Sequence, residues 1–61
     1  MTVWFGDFGS YAVGMASAET PELARELLDK TLARIPRYHE LWRAVGSKVI
    51  SAEHLSARLA A

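Results

Sequence analysis

The chain has no cysteine, which removes disulfides and thiolate metal sites as sources of order. It has two histidines, too few for a structural zinc site without carboxylate help. No apolar run approaches the roughly 18 residues of a membrane span. Met1 to Ala18 is apolar, but no basic stretch precedes it and Asp7 interrupts it, so it does not read as a targeting signal. The formal net charge is zero, which argues against strong non-specific affinity for nucleic acid. Linkers, repeats and low-complexity segments are also missing. These absences lead to the expectation of one small, self-contained domain over residues 1–61, in a cytoplasmic setting and off the membrane.

What is present is apolar. Hydrophobic residues make up 51% of the chain, including Trp4, Phe5, Phe8, Tyr11, Tyr38 and Trp42, which is too many for disorder. Size is the difficulty. A chain this short hides roughly 60% of its extended surface. The resulting apolar gain is roughly 90 kcal/mol, and chain entropy costs about the same. With no sulfur or metal to help, a second chain is the remaining source of stability. The expectation is a homodimer or a stable hetero-complex.

The hydrophobic period changes from two to about 3.6 across Thr20-Pro21. Before that junction, Thr2-Val3-Trp4-Phe5 has strand composition. Gly6-Asp7-Phe8-Gly9-Ser10 is rich in turn formers. Tyr11 to Ala16 then alternates large and small, with Tyr11, Val13 and Met15 on one face and Ala12, Gly14 and Ala16 on the other. The pattern predicts a β-hairpin whose small face lies close to another element. After the junction, Thr20 suits the N-cap and Pro21 the first helical position. Leu23, Ala24, Leu27, Leu28, Thr31, Leu32 and Ile35 form an apolar stripe running to Pro36.

Pro36 ends that helix and opens a second, with Tyr38, Leu41, Trp42 and Val45 on one face and Gly46 at its C-terminal cap. Lys48-Val49-Ile50 reads as a candidate short third strand near Val49. Ser51 caps a last helix lined by Ala52, Leu55 and Leu59. The fold expected is α+β: an N-terminal β-hairpin packed on one long amphipathic helix, followed by two shorter helices.

Little of this carries catalytic chemistry. His39-Glu40 begins like a zinc-protease motif, but the second histidine would stand at position 43, which is Arg43. The serines fall at turns, caps and helix edges, so no Ser-His-acid set is defensible. Neither glycine-rich phosphate loop occurs. The protein is therefore expected to be no enzyme and to need no cofactor or metal.

The charge is neutral in sum and uneven along the chain. Residues 30–48 hold Lys30, Arg34, Arg37, Arg43 and Lys48 against Glu40, a net +4, and the remainder carries −4. Lys30 and Arg34 answer a helix C-terminus; Arg37 and Arg43 are freer to present guanidinium groups to carboxylate or phosphate. Aromatics beside arginines compose many interface centres.

The function expected is a small non-catalytic protein-binding module that inhibits or regulates a larger protein. Its apolar anchors would be Trp4, Phe8 and Tyr11, with Phe8 exposed at the loop tip, and its polar side Arg34, Arg37 and Arg43. Phage-encoded or mobile-element anti-defence proteins are of this size. The alternative is a dimeric nucleic-acid-binding regulator using the basic 30–48 region. The hairpin followed by Thr20-Pro21-Glu22-Leu23-Ala24 resembles small antitoxin domains in which strands precede such a helix.

Overall fold

The computed structural model describes residues 1–60. These form β1 (Thr2–Asp7), β2 (Ala12–Ala18), α1 (Pro21–Leu32), α2 (Pro36–Ala44), β3 (Lys48–Ser51) and α3 (Ala52–Ala60). The three strands make one antiparallel sheet in the order β2-β1-β3. The expected α+β fold with its leading hairpin is what the chain adopts, and the short piece at Val49 is a true strand paired with β1.

Local signals set most element ends. Thr20 Oγ1 accepts the Leu23 amide at 3.2 Å and caps α1. At the end of α2, the Gly46 amide donates to the Arg43 carbonyl and the Ser47 amide to the Trp42 carbonyl. Gly46 takes φ +103°, so the terminus is a Schellman cap. Ser51 Oγ accepts the His54 amide at 3.2 Å and starts α3. The stop of α1 differs from expectation. The helix ends at Leu32 with Ala33 as its cap, three residues before Pro36. Thr31 and Leu32 carbonyls turn to bond the amides of Arg34 and Ile35, which tightens the chain ahead of the proline.

The face assignment of β2 also needs correction. Phe5 pairs with Met15, but the next residue, Gly6, pairs with Val13, leaving Gly14 as the extra residue of a β-bulge. Each residue before the bulge therefore switches face. Val13 packs on the core with Ala16, while Met15 turns outward and is 65% exposed. Two glycines permit this geometry. A Cβ on Gly6 would lie 2.6 Å from the Val13 carbonyl oxygen, a backbone collision. Gly14 has φ +82°, and its Cβ would meet Leu28 Cδ2 at 3.1 Å.

α1 lies across the sheet, mostly over β2, and buries Ala24, Leu28 and Leu32. Leu28 and Leu32 meet Phe8, Ala16 and Trp42 in one core, with Val13 and Val49 at its margin. Trp42 is the residue that α2 buries. The opposite sheet face, carrying Phe5, Asp7 and Ile50 by alternation, is covered by α3, which contacts β1 and β3 and reaches Asp7 through Arg58.

The close approach of β1 and β2 at the bulge makes a quantitative expectation. Gly6→Ala should lower the unfolding free energy by about 2–3 kcal/mol, because backbone cannot yield as a side chain can, and Gly14→Ala by about 1–2 kcal/mol. Urea denaturation followed by tryptophan fluorescence reads both. An unchanged midpoint for Gly6→Ala contradicts the contact.

Candidate functional site

The hairpin loop is held from the far end of the chain. Asp7 Oδ1 accepts the Gly9 amide at 2.8 Å, a local turn that folds the loop back. Arg58 on α3 then donates to Asp7 Oδ1 at 3.1 Å, to Asp7 Oδ2 at 3.2 Å and to the Gly9 carbonyl at 3.1 Å. The planar fork of the guanidinium suits this set of acceptors. Asp7 is 16% exposed. The Arg58 hydrogen bonds hold its carboxyl below the usual carboxylate range; partial burial opposes this and the Gly9 amide adds to it.

This loop corrects the expectation for Phe8. Folded back by Asp7 and Arg58, Phe8 is 8% exposed and belongs to the core, so it offers no surface to a partner. Tyr11 stacks on it at 5.2 Å between ring centroids, with an interplanar angle of 16°, and stays exposed. Trp4 is half-buried and its indole N–H donates to the Ala18 carbonyl at 3.1 Å. Of the three predicted hairpin anchors, Tyr11 alone is open to solvent.

Arg34, Arg37 and Arg43 are all exposed. Arg43 lines an open cleft of about 1140 Å³ beside Lys30, Lys48, Glu22, Glu26 and Asp29. Three of the five cations in residues 30–48 are therefore interleaved in space with acids from α1. A second link runs between the helices, where His39 Nε2 donates to Asp29 Oδ1 at 2.8 Å.

The larger apolar surface is one that the periodicity assigned to the core. Tyr38, Leu41 and Val45 follow one another along the flank of α2 beside Trp42, and Ile35 precedes them. Leu41 and Val45 are each 44% exposed and Ile35 47%. On α1, Leu23 and Leu27 are likewise exposed, while Ala24, Leu28 and Leu32 are buried. A stripe of six positions on α1 and three on α2, with Ile35 and Val45 just beyond their ends, was legible in the sequence. The overlooked signal is its width, since three strands can cover only one line of each helix.

One pair has the look of catalytic chemistry. Ser51 Oγ and His54 Nδ1 are 3.1 Å apart. The hydroxyl is nevertheless buried and already accepts the His54 amide as a helix cap, so its position has a sufficient structural cause. Among the described residues no cluster of three or more His, Cys, Asp or Glu side chains is arranged to hold a metal ion, and no helix is long and apolar enough to cross a membrane. Every buried side-chain polar atom among them has a partner.

The Asp7–Arg58 link makes the acid limb of stability depend on one carboxylate. Its folded pKa is lowered, so its contribution is complete above the ordinary value of 3.8 and is lost as pH falls through the folded value. Asp7→Asn should therefore be less stable than the parent at neutral pH, and that gap should narrow as pH falls below 3.8. Thermal melts across this range test it; a gap that is constant with pH contradicts it.

Comparison with known proteins finds no matching family model, no matching curated protein and no matching solved structure.

Proposed function

We propose that the protein is a small non-catalytic binding module that docks on a larger protein, as an inhibitor or regulator, through the outer flank of α2. The observation that carries this reading is the exposed row Ile35, Tyr38, Leu41 and Val45, with Arg34 and Arg37 beside it. α2 buries one side chain and, with its caps Ile35 and Val45, exposes four large apolar ones, a surface suited to something outside the chain. Apolar and aromatic anchors flanked by arginines compose the centre of many protein interfaces. The docking mode would be helix-on-groove, with anchors at i, i+3 and i+7.

The contact set thus moves from the hairpin to the helix. Arg34 and Arg37 keep their proposed role, Tyr11 becomes peripheral, and Phe8 leaves the set. A partner with acidic groups around an apolar groove suits this surface. The nucleic-acid alternative is weaker on electrostatic grounds. Glu22, Glu26 and Asp29 share a cleft with Lys30, Arg43 and Lys48, and phosphate would be repelled there as well as attracted.

Photo-cross-linking in the native host tests the reading. A photoreactive side chain in place of Tyr38 should capture a partner, and one in place of Glu53 should not. Leu41→Asp and Arg37→Glu should each reduce capture by about tenfold or more. Capture that both variants leave unchanged overturns the surface. Retention on heparin at about 50 mM salt, lost steeply with added salt and dependent on Arg37 and Arg43, would favour the nucleic-acid reading instead; no retention is expected.

A further inference from the structure

β2 is an edge strand, paired with β1 on one side only. Edge strands invite pairing with other chains, and folded proteins usually blunt them with charge, proline or short length. The two edges of this sheet differ in that respect. β3 has four residues and begins with the charged Lys48, although each edge has one carbonyl taken by an indole N–H, Lys48 by Trp42 at 2.7 Å and Ala18 by Trp4 at 3.1 Å. β2 has seven residues, Ala-Val-Gly-Met-Ala-Ser-Ala, with no charge and no proline. The bulge at Gly14 interrupts it, but Met15 to Ala18 runs in regular register with β1.

Beside this stretch, α1 leaves Leu23 and Leu27 49% and 44% exposed. Together with Ser17, Ala18, Glu26 and Lys30 they line a mostly apolar hollow of about 310 Å³. An edge strand and an overhanging apolar helix flank therefore form one continuous surface. The accessible surface of the chain is 4332 Å², above the roughly 3900 Å² expected of a compact monomer of this mass. A standard interface of about 800 Å² per partner would cover a little under a fifth of it.

We propose that this surface is the interface of a two-fold homodimer, in which β2 pairs antiparallel with β2 of a second copy and makes one six-stranded sheet. A two-fold axis perpendicular to the sheet sets α1 beside its copy on the same face and antiparallel to it. The charge order of α1 fits that arrangement. Of the charges that line the hollow, Glu19 and Glu26 come before Lys30 along the chain, whereas Glu22, Arg25 and Asp29 line the cleft on the other flank. Antiparallel helices place Glu19 and Glu26 of each copy toward Lys30 of the other, so the charges along the hollow are self-complementary, as an isologous contact requires. The occupant that this surface fits is the chain itself. The proposal stands apart from the docking role of α2, which uses a different flank.

Sedimentation or light scattering at about 100 µM should give twice the 6.7 kDa chain mass. Ser17→Lys puts like charges near the two-fold axis and Leu27→Asp charges the hollow; each should yield a monomer with unchanged circular dichroism. Glu26→Lys and Lys30→Glu should each weaken the dimer by about tenfold, and the double swap should restore it. Leu41→Asp should leave the mass unchanged. A monomeric parent overturns the proposal, and so does a dimer that survives both Ser17→Lys and Leu27→Asp or that dissociates with Leu41→Asp. If the parent fails to stay folded when diluted below dissociation, hydrogen exchange at Met15–Ala18 decides: protection that rises with concentration supports the edge pairing, and protection independent of it overturns the pairing.

Discussion

The fully buried Trp42 fixes how the second half of the chain sits on the first. Its ring meets Leu28 and Leu32 of α1 and Phe8 of the hairpin loop in a single core, and its indole N–H donates to the Lys48 carbonyl at 2.7 Å. The Gly46–Ser47 cap reverses the chain between these two residues, so that one side chain sets both where α2 rests and where β3 begins. Each tie needs the other. Without the indole hydrogen bond β3 would lose its anchor at Lys48, and without β3 the sheet would be an isolated hairpin, which is marginal in water. An aromatic with a polar handle suits this position because it fills volume and satisfies a backbone acceptor together.

The same geometry explains what α2 leaves outside. A nine-residue helix that points one tryptophan inward must turn its neighbouring flank away from the core, and in this chain that flank is apolar. The molecule measures 30 × 24 × 15 Å, so its thin direction leaves no room for a layer beyond the sheet and the helices on its two faces. Apolar side chains at the flanks of α1 and α2 have no further layer to enter. Their exposure follows from size, and size is also what makes a partner chain useful to stability.

Much of the architecture was legible in local chemistry. Thr20-Pro21, Gly46 and Ser51 each marked an element boundary through a specific hydrogen bond or backbone conformation, and these read correctly because the interaction is confined to a few neighbouring residues. The features that were not legible are those decided at a distance. Phe8 looks like a loop-tip residue, yet Arg58, fifty residues on, holds the loop folded over the core. Val13 looks like a partner of Met15, yet the bulge at Gly14 sets them on opposite faces. Leu23, Leu27, Leu41 and Val45 obey the helical period, but periodicity counts apolar positions and does not count the surface available to cover them. Charge behaved the same way. The net +4 over residues 30–48 is a property of order along the chain, and folding sets Glu22, Glu26 and Asp29 among three of those cations.

Binding and folding are then coupled in one quantity. Anything that holds the native state and not the unfolded chain adds RT ln(1 + [L]/Kd) to stability, about 2.7 kcal/mol at a hundredfold excess over Kd. For a domain whose burial gain and entropy cost nearly cancel, that increment is a large share of the whole. A second copy on the β2 edge would extend the sheet that Trp42 helps to complete, while a partner on α2 would cover the flank beside Trp42 itself. Both proposed contacts thus bear on elements joined through the same core, and occupation of either raises the cost of opening it. The two surfaces can therefore be coupled through stability alone, with no change of backbone shape, because each partner binds the ordered state that the other has already favoured.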